Sequence, residues 1–165
     1  MILLILAALL PVCFAQQQGG FPERPAPEQP LPFSHKRHVT INKLPCAHCH
    51  PMPEPGDFAT LPKTQVCMGC HAAVKKDSPH IQKLAAAHAA GDRIRWAPVY
   101  RIPDWVFFSH KIHNAVEGVT CETCHGPVGE REVLRREKDI SMGACMDCHR
   151  RNKASNDCQY CHERR

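Results

Sequence analysis

The sequence predicts a chain of mostly coil with a few short α-helices, built around a core that the polypeptide does not supply. One cysteine and histidine motif occurs five times in 165 residues, which leaves roughly 30 residues for each copy. Aromatic residues make up only 6% of the chain. Small chains with so little core material usually need covalent or metal staples. We therefore expect the chain to be unfolded without its cofactors.

The repeated motif is Cys-x-x-Cys-His, the attachment signature of c-type haem. Its two thiols add across the haem vinyl groups, and its histidine becomes an axial ligand of the iron. Paired Cys-x-x-Cys sequences alone would also fit a zinc ribbon or redox disulfides, but the histidine in fifth place favours haem. Ten of the eleven cysteines belong to the motif. The prediction is five covalently bound haem c groups, attached through Cys46, Cys49, Cys67, Cys70, Cys121, Cys124, Cys145, Cys148, Cys158 and Cys161, with proximal iron ligands His50, His71, His125, His149 and His162.

The N-terminal segments are predicted to lie outside the haem-binding part of the chain. Residues 1–15 form an apolar run that ends at Ala15, which is typical of a signal peptide and short for a membrane span. A retained N-terminal anchor or a lipid anchor at Cys13 is the alternative. Residues 16–32 carry five prolines and two glycines and are predicted to be a Pro-rich linker.

The remaining chain, residues 33–165, is predicted to be one pentahaem domain with an internal duplication. Phe33-Ser34-His35-Lys36-Arg37-His38 precedes the first site, and Phe108-Ser109-His110-Lys111-Ile112-His113 precedes the third, at an offset of 75 residues. A further site follows 21 residues on in the first half and 24 in the second. The predicted parts are a two-haem unit (33–75), a connecting helix and loop (76–107), a second two-haem unit (108–150) and a fifth haem site (151–165).

Seven histidines remain for the opposite faces of the irons. The repeated His-x-x-His leads predict four distal ligands, His35, His38, His110 and His113. A helix is predicted between Ser78, its N-cap, and Gly91, its C-cap, with Pro79 in the first helical position. This helix offers His80 as the fifth ligand, with His88 as the alternative. His48 lies inside its own Cys-x-x-Cys loop and is not predicted to be a ligand, and Met52 or Met142 would be a less favoured thioether ligand.

The surplus of histidine bears on function, because an iron with two imidazole ligands has no open position for a substrate. The sequence thus predicts an electron-transfer protein with no catalytic residues, not an enzyme working alone. The formal charge of +5 does not indicate nucleic acid, because a ferric haem with two propionates carries roughly −1 and a ferrous one roughly −2. Lys and Arg are expected to face propionates or an acidic partner.

Three stretches carry a resemblance to a known family, at residues 94–110, 121–128 and 142–150. There and in its Phe-x-His-x-x-His leads, the chain resembles class III multihaem cytochromes c. It is more closely similar to the pentahaem cytochrome subunits of alternative complex III and of menaquinone reductase complexes. The resemblance implies a small class III-like fold with the haems as its core, in which His35 and His110 ligate the nearest haems and His38 and His113 reach others. Subunits of this family often carry an N-terminal membrane helix, from which the short apolar run departs.

Together these features predict an exported cytochrome that passes single electrons along bis-histidine haems as a subunit of a membrane quinol-oxidising complex. Its partners would be redox proteins, namely iron–sulfur and integral membrane subunits, with membrane association through them or through an N-terminal anchor. The expected location is the periplasm or the outer face of the bacterial cytoplasmic membrane. The alternative is the cytochrome component of a periplasmic reductase or of a membrane-anchored quinol dehydrogenase, with one labile haem ligand.

Overall fold

A computed structural model describes residues 24–162. The predicted signal peptide and the first part of the linker lie outside the described residues. Within them the chain forms seven short α-helices joined by coil, and it contains no strand. A π-helical turn (Arg37–Ile41) precedes the first helix, and a 3-10 turn (Val128–Glu130) follows the fifth. The helices are α1 (Cys46–Cys49), α2 (Thr64–His71), α3 (Pro79–Ala89), α4 (His110–Asn114), α5 (Cys121–His125), α6 (Met142–Arg151) and α7 (Cys158–His162).

Every Cys-x-x-Cys-His motif lies on a helix or at its end. The first begins α1, with His50 as the C-cap residue, and the others lie within α2, α5, α6 and α7. Positions i, i+3 and i+4 share one face of a helix. The helical conformation therefore points both thiols and the imidazole of each motif in the same direction, as attachment to one planar group requires.

The connecting helix α3 begins as the sequence predicts. Ser78 is its N-cap residue and Pro79 occupies the first helical position, although the Ser78 side chain makes no capping hydrogen bond. At the other end the C-cap is Ala90, and Gly91 follows it with a φ of +73°. Gly91 thus stands one position beyond the predicted C-cap, where a left-handed conformation commonly closes a helix. Helix α3 packs against α2.

The polypeptide has almost no core of its own. Among residues 24–162, the buried hydrophobic side chains are Leu31 and Leu84 alone. Large apolar side chains are instead exposed, including Phe58 at 74% and Trp105 at 68%. A chain of this size normally buries well over half of the surface that it exposes when unfolded. The apolar surface is thus arranged to be covered by something other than this chain's own side chains.

No helix within residues 24–162 has the length and apolar character needed to cross a membrane. The mostly coil fold with short helices that the sequence predicts is confirmed, both by these elements and by the family relationship reported below.

Candidate haem sites

The histidines of the two leads lie opposite histidines of the attachment motifs. Four such ring pairs occur, each with one distal and one motif imidazole. The pairs, with centroid separation and interplanar angle, are His35–His50 (6.5 Å, 10°), His38–His71 (6.1 Å, 58°), His110–His125 (6.4 Å, 6°) and His113–His149 (6.1 Å, 26°).

These separations fit a metal ion between each pair of rings. A metal–imidazole bond is about 2 Å long, so two imidazoles on opposite sides of one ion have centroids roughly 6.3 Å apart. Rings in direct contact would lie closer, as Phe33 and His38 do at 4.4 Å. The pairing also has the arrangement that the resemblance to class III cytochromes implies, since each lead sends its first histidine to the near site and its second to the next.

Most of these imidazoles are oriented by a hydrogen bond from Nδ1 to a backbone carbonyl. In the leads, His38 donates to Ser34 O and His113 to Ser109 O, each at 2.8 Å. Motif histidines do the same, since the carbonyls of Thr60, Val74 and Ser155 accept from His50, His71 and His149 at 2.9, 3.0 and 2.6 Å. A ring that donates through Nδ1 keeps the Nε2 lone pair for a metal, the usual arrangement around ligating histidine.

His35 is the most perturbed of the four lead histidines. Burial, followed by the nearby His50 and His38, lowers its pKa to about 4, so the ring is in the neutral form that ligates a metal. Its Nδ1 is buried without a hydrogen-bond partner among the described residues. His110 occupies the equivalent position of the second lead and donates through Nδ1 to Asp57 O at 2.8 Å.

An aromatic ring supports each lead. Phe33 stacks on His38 at 4.4 Å and meets His35 edge-on at 4.9 Å. Phe108 repeats this arrangement with His113 and His110, at 4.3 and 4.8 Å. The Phe of each lead therefore orients both distal imidazoles by direct contact, which the sequence pattern alone did not indicate.

Tyr100 is a residue of the third site that the sequence reasoning missed. Its hydroxyl donates to His125 O at 3.0 Å and accepts from the backbone N–H groups of Glu137 and Lys138 at 3.0 and 3.3 Å. Its ring meets the His125 imidazole edge-on at 4.7 Å. Tyr100 thus ties the proximal histidine to the charged segment 130–139. Only its place in the stretch that resembles the family could have suggested a role.

The fifth site differs from the other four, because no ring of the described residues pairs with His162. His88, the alternative fifth ligand, shares a hydrogen bond through Nδ1 with Thr64 Oγ1 at 3.1 Å. His80, the favoured one, is exposed at the start of α3, and His48 is exposed in the first site. Met142 is 67% exposed. The assignment of the fifth distal ligand remains a prediction.

The residues present fit haem c at the first four sites. Each site combines two thiols and an imidazole on one helix face with a second imidazole at the spacing of an axial pair. Apolar side chains that the polypeptide leaves exposed would then meet porphyrin. The thiols are free and partly accessible, which suits covalent attachment.

Two comparisons relate the chain to known proteins. Residues 106–163 match the family described as cytochrome c7 and related cytochrome c. The chain is also similar to the protein named menaquinone reductase, multiheme cytochrome c subunit, of Nitratidesulfovibrio vulgaris (strain Hildenborough). The two are 30% identical over 162 residues, which cover 82% of this chain and 77% of the relative. The first match spans the second lead and the last three motifs, and the second spans most of the chain.

Proposed function

Because this chain belongs to the family of multihaem c-type cytochromes that includes the menaquinone reductase subunit, we propose that it is an exported pentahaem subunit of a membrane quinol-oxidising complex. The family shows the coarser function, which is electron transfer through covalently bound haem c by a protein that is not itself catalytic. The proposal adds the number of haems, the export and the assembly.

The four paired imidazoles carry the proposal. Each pair spans the gap that one axially ligated iron needs, and the Nδ1 hydrogen bonds hold the rings in the ligating tautomer. When bound, each haem supplies an iron that gains or loses one electron. The protein's part is to fill both axial positions, which excludes water and substrate from the metal and keeps the chemistry to electron transfer. Imidazole pairs with partial solvent exposure also favour low potentials, suited to electrons from menaquinol.

Export and assembly are supported by sequence and kinship. Haem is attached covalently to cytochromes c outside the bacterial cytoplasm, and residues 1–15 have the apolar character of a signal peptide or anchor. The relative's name places it in a menaquinone reductase. We therefore expect iron–sulfur and integral membrane partner subunits. Isolation of the native complex from membranes, followed by reduction of its haems with a menaquinol analogue, tests this part.

The ligand assignment is tested by electron paramagnetic resonance of the oxidised holoprotein. We expect low-spin signals from at least four haems. The imidazole angles sharpen the expectation, because parallel rings split the iron d orbitals that they contact and strongly inclined rings do not. The near-parallel first and third sites should give rhombic spectra, and the 58° pair of the second site should give a more axial one.

Single replacements assign the signals. His38→Ala should convert one haem to the high-spin state and remove the most axial low-spin signal, whereas His48→Ala should change none. Loss of a rhombic signal in His38→Ala would contradict the pairing. Absence of a Soret band from the purified protein would contradict haem binding altogether.

One observation favours a second candidate function, namely that His162 has no ring partner among the described residues. A fifth haem with a labile ligand would suit a cytochrome component of a reductase or quinol dehydrogenase. Carbon monoxide binding to one of the five ferrous haems would support this candidate, and five haems that all fail to bind it would exclude it.

A further inference from the structure

The two halves of the chain are joined by a pair of equivalent contacts. Lys36 N, in the first lead, donates to Arg131 O at 3.0 Å, and Lys111 N, in the second lead, donates to Gly56 O at 3.0 Å. Lys36 and Lys111 are 75 residues apart, as are Gly56 and Arg131. Each lead therefore docks behind the attachment site of the other half, and the halves are related as two subunits of a twofold dimer would be.

Side chains reinforce both contacts. In one, Thr40 Oγ1 donates to Gly129 O, and Gly129 approaches Val39 so closely that a Cβ there would lie 3.1 Å from Val39 Cγ1. In the other, Lys111 Nζ lies 2.6 Å from Glu54 Oε1. The contacts are the same in kind and differ in their residues, so the arrangement follows from the duplication.

The first and third attachment sites meet where the halves join. Burial and the adjacent Cys121 thiol raise the pKa of Cys46, and the two thiols are within hydrogen-bonding reach. Burial, followed by His110 and His50, lowers the pKa of His125. Cys46 and Cys121 occupy equivalent positions of the repeat, so these thiols lie on either side of the pseudo-twofold axis.

The second and fourth sites lie outward from this centre. His35 and His38 belong to one lead, three residues apart, and their partner rings are in the first and second sites. This places the second site beside the first. The second lead places the fourth site beside the third in the same way.

The fifth site adjoins only the second half. The segment that leads into it is held against α6, because Ser155 O accepts from His149 Nδ1 at 2.6 Å and Asn156 Nδ2 donates to Met146 O at 3.3 Å. Cys161 is close enough to Cys145 for their charges to interact.

We propose that the attachment sites are ordered in space as second, first, third, fourth and fifth, so that electrons enter or leave the protein at the second and fifth sites. The proposal rests on the proposed function and adds a route to it. The order along the chain would instead join the second site to the third. Here the two sites beside the pseudo-twofold axis are internal links, and the ends are the α2–α3 face and the C-terminal helix α7.

The test uses nuclear Overhauser effects between haem substituents of the fully reduced, diamagnetic holoprotein. Four haems are identified by methionine variants of their distal ligands, since only the haem concerned changes its sixth ligand, and the fifth follows by elimination. These variants are His35→Met, His38→Met, His110→Met and His113→Met. His48→Ala, in the first site but outside every ring pair, is the matched control and should shift no haem strongly.

We expect cross-peaks between the haems of the first and third sites, and none between those of the second and third. Cross-peaks between the second and third, or between the first and fourth, would overturn the order. Failure of the order is distinct from failure of the proposed function, because five low-spin haems with other neighbours would leave electron transfer intact. Loss of low-spin haems from the unsubstituted protein would instead contradict the function.

Discussion

Replacement of Gly56 by alanine tests the contact between the halves most directly. Gly56 is buried with a φ of +91°, and its carbonyl accepts the hydrogen bond from Lys111 N. A Cβ at this position would lie 2.5 Å from Lys111 Cβ. The far end of the lysine side chain could move away, but its Cβ is fixed by the backbone of α4. Either α4 or the loop that carries Gly56 must shift.

The expected loss has two parts. A left-handed conformation costs a non-glycine residue about 1–2 kcal/mol, and forcing extra atoms into a packed contact costs about 1–3 kcal/mol. We therefore expect Gly56→Ala to lower the free energy of unfolding by about 2–5 kcal/mol. Gly118→Ala is the matched control, because Gly118 has a φ of +78° and a Cβ there would have no atom within 4 Å. The control should lose only the first part.

The assay is equilibrium unfolding of both holoproteins in guanidinium chloride, followed by far-ultraviolet circular dichroism. Comparison is valid where the two variants share the slope of the unfolding free energy against denaturant. Equal losses in Gly56→Ala and Gly118→Ala would refute the close contact with Lys111. A second variant, Gly56→Ala with Lys111→Gly, removes the opposing Cβ and should recover part of the loss beyond the sum of the single changes.

Three further outcomes follow from the sites. Tyr100→Phe should lower the free energy of unfolding by about 1–3 kcal/mol, because it leaves three backbone partners of the hydroxyl without a bond; an unchanged guanidinium midpoint would contradict this. Hydrogen bonding from Arg131, the largest cause, lowers the pKa of Glu137, so the ion pair stabilises the protein above the ordinary pKa of glutamate and loses this effect as the pH falls through the lowered value. The thermal midpoint of Glu137→Gln should thus fall below that of the unsubstituted protein at neutral pH and approach it in acid; a pH-independent gap would contradict the ion pair. Finally, the haem held by His35 should be reduced at a higher potential than the haem held by His110, because a hydrogen bond from Nδ1 makes an imidazole a stronger donor to ferric iron and only His110 makes one to a described residue; reduction of the His110 haem first would contradict this.

The local part of the fold could be predicted because its determinants are close in sequence. The spacing of Cys-x-x-Cys-His suits one helix face, and each motif is helical. Ser78 and Pro79 mark the start of α3 correctly, while the end falls at Ala90 instead of Gly91. The duplication was visible as a constant offset of 75 residues.

The arrangement of the sites could not be predicted from spacing, because it depends on contacts between distant residues. His38 lies eight residues before Cys46, yet its ring faces His71 of the second site; only the family resemblance pointed there. The role of Tyr100 depends on partners 25 to 38 residues away. The docking of each lead on the opposite half needs both halves folded, so neither half by itself carries a sign of it.

The symmetry of the centre and the asymmetry of the ends have different consequences for electron flow. Sites related by a pseudo-twofold axis have similar surroundings, so the first and third sites supply little driving force between them and serve as a two-way link. Direction must come from what the duplication does not repeat. The first half is extended by α3, which packs on α2 beside the second site, and the second half is extended by the fifth site. We therefore expect the two ends to contact different partners, because the surfaces that surround them share no equivalent residues.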